Sequence, residues 1–255
     1  MTDDLFDVSN RVVLITGSSR GLGNAIARGF ASAGAHVILN GRNRDNLQRA
    51  VEQFKRDGLR AFGYPFDVTL SLEVDQAVDL IEKEVGPIDI LINNAGTNIR
   101  ASLETVSDET WEEVLRVNLS SVFRVSRAVA RKMIERRQGK IINIASLASE
   151  QARPSIAPYA SAKGGVKMLT KAMAVEWARH NIQVNAIGPG YFKTEMTRPL
   201  TEDPKFDAWV KMRTPLGRWG EPQELVGSAI FLASRASDFV TGHILYVDGG
   251  FLAAL

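Results

Sequence analysis

The segment VVLITGSSRGLG, residues 12–23, joins an apolar, β-branched run directly to a glycine-rich turn. A strand that passes through such a turn into a helix lets backbone N–H groups and the helix N-terminus hold a pyrophosphate. The glycines permit the tight turn and the close approach of the backbone to the ligand. The segment therefore predicts a dinucleotide-binding turn. We expect cofactor contacts from Gly17, Ser19, Arg20, Gly21, Leu22 and Gly23.

Outward from this turn, apolar runs alternate with segments of helical period along nearly the whole chain. The predicted strands are Arg11–Thr16, His36–Asn40, Arg60–Pro65, Ile88–Ile92, Lys140–Ile144, Ile182–Ala186 and Ile244–Val247. The predicted helices are Gly21–Ala33, Asp45–Arg56, Leu72–Val85, Asp108–Arg136, Pro158–Arg179 and Pro222–Ala233. Near-continuous apolar strands suit a parallel sheet that helices cover on both faces. The sequence thus predicts an α/β fold, a Rossmann-type doubly wound seven-stranded parallel sheet in a single domain of residues 1–255.

Residues 188–219 interrupt this alternation, since they carry four prolines, scattered aromatic residues and only one short candidate helix at Lys205–Met212. We interpret them as a flap over the site. The apolar end of the chain, residues 251–255, is expected to be buried against a second copy of the protein.

The composition excludes several classes of protein. Apolar residues make up 45% and charged residues 24%, as in soluble globular chains, and 31 basic residues nearly balance 29 acidic ones, so neither nucleic acid nor a membrane is an expected partner. There is no Cys, and the three His residues lack metal-ligand spacing, so no metal is expected. The acidic N-terminus and the lack of a long apolar stretch predict a cytoplasmic protein.

The end of the second predicted strand indicates which dinucleotide is bound. In NAD-binding proteins an acidic residue at this place accepts hydrogen bonds from the ribose. Here the sequence is Asn40-Gly41-Arg42, and a neutral amide followed by a guanidinium suits a 2′-phosphate, which Arg20 could also bind. NADP(H) is therefore favoured over NAD(H). The alternative is that Arg20 and Arg42 are solvated surface cations.

Three further side chains form a candidate catalytic group. Tyr159 and Lys163 are four residues apart on one predicted helix and so share a face. Ser146 follows a predicted strand, at the edge where α/β sheets bind their ligands. Either feature alone is weak, but the two together indicate a site.

With these motifs the sequence resembles the short-chain dehydrogenase/reductase family over essentially its whole length. The matching residues are Gly17–Gly23, Asp67-Val68, Asn93-Asn94-Ala95-Gly96, Asn118, Ser146, Tyr159 with Lys163, Pro189-Gly190 and Val247-Asp248-Gly249-Gly250. The resemblance implies an oxidoreductase that interconverts a secondary alcohol and a ketone with a nicotinamide cofactor. It also implies a homotetramer.

The resemblance further implies individual roles. Tyr159 is then the general acid/base and Ser146 holds and polarises the carbonyl. Lys163 binds the nicotinamide ribose and lowers the pKa of the phenol, which is about 10 when free, while Asn118 helps to anchor a proton relay. The other implied cofactor contacts are Asp67, Val68, Asn94, Ala95, Gly96, Pro189, Gly190 and Thr194.

Within the family, the sequence is most similar to enzymes that interconvert D-gluconate and 5-keto-D-gluconate. A polyhydroxy carboxylate needs a cation and hydrogen-bond acceptors, and we expect these from Arg100, Glu150 and Arg153, alongside Ser146 and Tyr159. The segment Thr97-Asn98-Ile99-Arg100 departs from such enzymes, in which a Gln and two successive basic residues are expected. A surface ion-pair cluster of Arg100, Glu150 and Arg153 is the alternative.

Two other functions remain open from the sequence. A 3-oxoacyl-[acyl-carrier-protein] reductase, or another short-chain carbonyl reductase, would use the same catalytic residues. A non-catalytic NADP-sensing protein would keep the fold without turnover.

Overall fold

The computed structural model describes residues 5–254. The strands in this part of the chain are β1 Val12–Ile15, β2 His36–Asn40, β3 Ala61–Tyr64, β4 Ile88–Asn93, β5 Gly139–Ile144, β6 Ile182–Pro189 and β7 Ile244–Val247. They form one sheet in the order β3-β2-β1-β4-β5-β6-β7, and every pairing is parallel. The chain reverses its direction of winding between β1 and β4. The predicted doubly wound, seven-stranded parallel sheet is confirmed.

The helices of the described residues lie between these strands. They are α1 Gly21–Ser32, α2 Arg44–Arg56, α3 Ser71–Glu84, α4 Asp108–Leu115, α5 Ser121–Arg136, α6 Ala157–Trp177, α7 Arg198–Thr201, α8 Pro204–Arg213 and α9 Val226–Ala233. None of those in residues 5–254 is both long and apolar enough to cross a membrane.

The two faces of the sheet are covered by different helices. Val13 and Ile15 of β1 pack in one cluster with α1, α2 and α9, whereas Val12 and Leu14 pack in another with α3, α5 and α6. All four side chains are buried, as alternation along a doubly covered strand requires. The loops at the carboxyl ends of the strands are therefore left to form a site.

The largest departure from the predicted helices lies in residues 108–136. The single helix that we predicted there is divided by a π-helical turn, Arg116–Ser120, between α4 and α5. Within the turn, the amide of Asn118 donates a 2.8 Å hydrogen bond to the backbone oxygen of Val114 and competes with the regular helical pattern. Wide turns of this kind are frequent at functional sites.

The segment that we predicted as a flap, residues 188–219, has more regular structure than expected. β6 continues to Pro189, and α7 and α8 follow it. The ring of Tyr191 lies 5.4 to 5.8 Å from four other aromatic rings, those of Phe206, Trp209, Trp219 and Phe251. Phe251 is buried within its own chain, whereas Ala253 is exposed, and the contact of residues 251–255 with a second copy stays a prediction. Leu255 lies outside the described residues.

Candidate active site

The predicted glycine turn lies against the loop that follows β4. The amide of Asn94 donates hydrogen bonds of 2.9 Å to the backbone oxygens of Thr16 and Gly17. Gly17 has a φ of +61°, and a Cβ there would fall 2.8 Å from the Cα of Ala95. These contacts hold two neighbouring strand ends together, at the point where the sheet order reverses.

The beginning of α1 fits an anionic ligand. Arg20 precedes the helix without capping it through its side chain, and no acidic residue occupies the first turn. Gly21 has a φ of +62° and a Cβ there would meet nothing within 4 Å. The turn thus presents backbone N–H groups and the positive end of the helix dipole to open space, which suits a pyrophosphate.

The structure corrects the role that we expected for Asn40. Its side chain is buried, accepts a 3.2 Å hydrogen bond from the backbone N–H of Gly17 and donates to the backbone oxygens of Tyr64 and Phe66. Since its amide is directed into the protein, it supports the glycine turn instead of facing a 2′-phosphate.

Arg20 and Arg42, in contrast, are exposed, with side-chain exposures of 72% and 64%. Arg42 lies 3.6 Å from Asp67, and Arg20 lies 2.9 Å from Glu195 in the flap segment. Burial acts to raise the pKa of Asp67, but hydrogen bonds from Thr69 and the charge of Arg42 outweigh it and leave that pKa lowered. The carboxylate of Asp67 is therefore ionised, and the neighbouring Val68 is buried.

Tyr159 and Lys163 lie one turn apart near the start of α6, which has Pro158 in its first turn. The Nζ of Lys163 is 5.6 Å from the centre of the Tyr159 ring and donates a 2.6 Å hydrogen bond to the backbone oxygen of Ile144. Lys163 is only 4% exposed, and this burial lowers its pKa to about 8. The ammonium is thus held between the helix and the end of β5.

The pKa of the Tyr159 phenol is shifted upward, whereas we expected it to be lowered. Burial raises its pKa, a hydrogen bond with Ser146 acts to lower it, and Tyr191 acts to raise it, so that the net shift is upward. We expected Lys163 to lower this pKa, but its ammonium is bonded to the backbone of Ile144. At neutral pH the phenol is therefore protonated.

Asn118 connects the π-helical turn to the loop after β4. It is fully buried, its Oδ1 accepts from the N–H of Thr97 at 3.2 Å, and its Nδ2 donates to the oxygen of the same residue at 2.8 Å. A Cβ on Gly96 would fall 2.8 Å from that Oδ1. Asn118 therefore requires a residue without a Cβ at position 96, and its hydrogen bonds fix the loop after β4.

Ser146 and Tyr159 line one cavity of about 210 Å³. Arg100 and Arg153 line the same cavity, and so do Pro189 and Gly190. Partial burial lowers the pKa of Arg100, and repulsion from Arg153 lowers it further. Two guanidinium groups that repel each other beside two hydroxyls form a place where an anion would be stabilised.

Sequence reasoning missed several residues of this cavity. They include Asn98, Tyr191, Trp209, Arg213 and Phe251. Tyr191 follows Pro189-Gly190 directly, so its position in the chain was a usable signal. Arg213 and Phe251 are far from the motifs in sequence, and only the folded chain brings them to the cavity.

Two predicted site residues lie elsewhere. Glu150 is not part of the cavity lining: it forms an ion pair with Lys167 and accepts a 2.6 Å hydrogen bond from the hydroxyl of Tyr246. Its carboxylate is thus bound by Lys167 and Tyr246, and its contact with substrate stays a prediction. Thr194 shares hydrogen bonds with Thr197 in the flap segment and also lies outside the cavity lining. Its contact with a nicotinamide carboxamide stays a prediction.

Comparison with known proteins gives consistent similarities along the chain. Residues 17–252 match a family described as enoyl-(acyl carrier protein) reductase. A 5-keto-D-gluconate 5-reductase of Escherichia coli (strain K12) is 52% identical over 253 residues, which cover 99% of this chain and 100% of that protein. A gluconate 5-dehydrogenase of Gluconobacter oxydans (strain 621H) is 52% identical over 252 residues, covering 99% of this chain and 98% of the relative.

A solved structure shows the same architecture. A gluconate 5-dehydrogenase from Burkholderia cenocepacia J2315, crystallised in complex with NADP and tartrate, superimposes with a TM-score of 0.97 at 50% identity. The match covers 100% of both chains.

Proposed function

The chain belongs to the short-chain dehydrogenase/reductase family, and we propose that it is an NADP(H)-dependent oxidoreductase that interconverts D-gluconate and 5-keto-D-gluconate. The observation that carries the proposal is the cavity in which Ser146 and Tyr159 lie with Arg100 and Arg153. Hydroxyls suit the reacting carbon and guanidinium groups suit a carboxylate at the other end of the same substrate. The full-length similarity to sugar-acid oxidoreductases supports the same assignment.

The cofactor contacts form two groups. The start of α1, with Gly17, Gly21 and Gly23, would hold the pyrophosphate. Arg20 and Arg42 would bind the 2′-phosphate, because both are exposed cations next to that turn. The other proposed contacts are Ser19, Leu22, Asp67, Val68, Asn94, Ala95, Gly96, Tyr159, Lys163, Pro189, Gly190 and Thr194.

The chemistry divides among four side chains. The nicotinamide supplies a hydride when reduced and accepts one when oxidised. In the reductive direction Tyr159 gives its proton to the carbonyl oxygen as this becomes an alkoxide, and Ser146 donates a hydrogen bond to the same oxygen. The raised pKa of Tyr159 keeps the phenol in the protonated form that reduction requires.

The remaining two side chains support this transfer. Lys163 places a positive charge one helical turn from Tyr159 and would bind the nicotinamide ribose. Asn118 holds the loop after β4 and would anchor the water that returns a proton to Tyr159. In the oxidative direction the same groups act in reverse.

The description of the matched family names an acyl-carrier-protein substrate, and a 3-oxoacyl-[acyl-carrier-protein] reductase or another short-chain carbonyl reductase would use the same hydroxyls. The guanidinium groups of Arg100 and Arg153 in the cavity suit a small carboxylate better than an acyl thioester. A sensor without turnover would have no need for Ser146 and Tyr159 to meet. We further infer a cytoplasmic homotetramer, because the family usually forms tetramers and Met168 and Val175 on α6 leave apolar surface exposed.

A substrate panel tests the proposal. NADPH consumption is followed with 5-keto-D-gluconate, an acetoacetyl thioester and a simple neutral ketone, and the reverse reaction with D-gluconate and NADP⁺. We expect the highest kcat/KM with 5-keto-D-gluconate. Faster reduction of the thioester would contradict the proposal in favour of an acyl reductase, and no turnover with any substrate would favour the sensor.

A further inference from the structure

Glu150 stands at the end of the short turn that begins at the catalytic serine. The hydroxyl of Ser146 accepts a 3.1 Å hydrogen bond from the N–H of Ala148. The N–H of Ser149 donates to the oxygen of Ser146 at 2.9 Å, and that of Glu150 donates to the oxygen of Leu147 at 3.0 Å. The turn is therefore closed by its own hydrogen bonds, which connect Glu150 to Ser146.

The far end of this turn is fixed to α6 at two successive helical turns. The hydroxyl of Ser149 donates a 2.9 Å hydrogen bond to the backbone oxygen of Lys163, and the carboxylate of Glu150 pairs with the ammonium of Lys167. Lys163 and Lys167 are four apart, so both contacts lie on one face of the helix that also carries Tyr159. The serine turn and the tyrosine helix are therefore joined side by side.

A third element meets the same carboxylate. The hydroxyl of Tyr246, from the edge strand β7, donates a 2.6 Å hydrogen bond to Glu150. The Tyr246 ring lies so close to Gly188 that a Cβ there would fall 2.3 Å from it. Glu150 thus joins the loop after β5, helix α6 and the strand pair β6–β7. The hydrogen bonds from Lys167 and Tyr246 lower its pKa, so it is anionic at neutral pH.

We propose that Glu150 is a positioning residue, whose contacts with Lys167 and Tyr246 keep the Ser146 hydroxyl in place beside Tyr159. About a third of the Glu150 side chain is exposed, and that of Lys167 is 28% exposed, so the pair lies at the surface with most of each side chain covered. The role differs from substrate binding in one respect: it acts on the rate with every substrate that uses Ser146. The inference rests on the proposed oxidoreductase function.

The test is Glu150→Gln, which keeps an acceptor for Tyr246 but loses the charge that binds Lys167. We expect kcat to fall about tenfold, because a misplacement of about 1 Å at a reacting group can cost up to about 100-fold. The factor should be the same for the sugar acid and for a neutral ketone, with KM for NADPH unchanged. Tyr246→Phe, which leaves the ion pair in place, should give a smaller loss of kcat. It replaces Glu150→Gln as the test variant if that variant folds poorly.

The pH profile separates positioning from a merely structural effect. The hydrogen bond from Ser146 acts to lower the pKa of Tyr159, so weakening it should move the rise of the oxidation rate to higher pH in Glu150→Gln. Asp79→Asn is the matched control, because Asp79 pairs with Lys132 at 2.9 Å between α3 and α5, away from the cavity. It should leave both kcat and the profile unchanged.

Three results would overturn the proposal: an unmoved pH profile in Glu150→Gln, a rise of KM confined to the sugar acid, or an equal effect of Asp79→Asn. If the wild type does not reduce 5-keto-D-gluconate, the substrate assignment fails on its own. The wild type and the variants are then assayed with whichever substrate of the panel the wild type reduces fastest. Failure of the substrate assignment is thereby distinguished from failure of the positioning role.

Discussion

At the Tyr159 end of the proposed cofactor site Lys163 and Asn118 are buried and bonded to backbone. At the Arg20 and Arg42 end the cations are exposed and paired with exposed or half-buried carboxylates. The ammonium of Lys163 donates to a backbone oxygen at 2.6 Å, while the Arg42 guanidinium lies 3.6 Å from its partner. Proton and hydride transfer need fixed geometry, and a packed, hydrogen-bonded corner provides it. Selection of a phosphate needs charge within reach, which exposed arginines provide.

The largest effect of any substitution at these two ends is expected from Tyr159→Phe, at the catalytic end. Loss of the proton donor should lower kcat by about 10²- to 10⁴-fold, the contribution of a positioned general acid. Because the ring remains, the Kd of NADPH, measured by its fluorescence, should change little. Substantial residual turnover with unaltered NADPH binding would show that another group supplies the proton.

Lys163 should make the stability of the free protein depend on pH. Its pKa is about 8 in the folded chain and about 10.4 when unfolded, so the unfolded state binds more protons between these values. Stability should therefore rise as the pH increases from about 8 to about 10.4, by on the order of 3 kcal/mol in total.

Lys163→Met removes this titration and isolates it from that of other groups. At pH 7 the variant should have the higher Tm, and its advantage should shrink as the pH approaches 10. A difference in stability that stays constant across this range would mean that burial does not perturb the ammonium.

A substitution at the exposed end, that of Arg20 and Arg42, should change the preference between NADPH and NADH and not the rate of the chemical step. Arg42→Ala removes one charge-assisted contact to the 2′-phosphate, and we expect kcat/KM for NADPH to fall about tenfold to 100-fold, since such contacts contribute about 1.5–3 kcal/mol. The value for NADH should hardly change. Arg49→Ala, which removes an exposed cation farther along α2, is the control. Equal losses with both cofactors would refute a phosphate-specific role.

The smallest expected effect is that of the ion pair across the crevice. Glu195 holds Arg20 at 2.9 Å, and Glu195→Gln should free this arginine for the phosphate. The KM for NADPH should fall by about fivefold or less, because exposed pairs contribute about 0.2–1 kcal/mol. The change should vanish at high salt, and Glu202→Gln in the same segment should not produce it. A higher KM would mean that the pair helps to retain the cofactor.

Local sequence signals were sufficient for the sheet and for the order of its elements. The run VVLI lies in β1 because four consecutive apolar residues can be buried only between two helical layers. β6 is three residues longer than expected, because its last residues pair with β7, which is more than 50 positions away. The apolar pattern that predicts a strand is local in sequence, but the residue at which the strand ends depends on the strands that pair with it.

The side chains of the site were harder to predict, because sequence proximity does not fix direction. Asn40 lies where a cofactor contact was expected, yet its amide is used by Gly17, Tyr64 and Phe66. Glu150 follows Ser146 by four residues, but it is held by Lys167 and by Tyr246, which is 96 positions away.

The π-helical turn at Asn118 could not be predicted either. Besides its local hydrogen bond to Val114, Asn118 bonds with Thr97, a residue of another loop. In each of these cases a long-range polar contact competes with the local pattern, and no local pattern reports such a contact.

The proposed function is tested most directly by two substrates, 5-keto-D-gluconate and its methyl ester, in which the negative charge of the carboxylate is present or removed. With NADPH, the acid should have a kcat/KM about tenfold to 100-fold above that of the ester, because a charge-assisted contact contributes about 1.5–3 kcal/mol. Arg100→Gln should remove most of that preference while the ester is reduced at its original rate. Equal kcat/KM values for the acid and the ester in the wild type would contradict recognition of a carboxylate in the cavity.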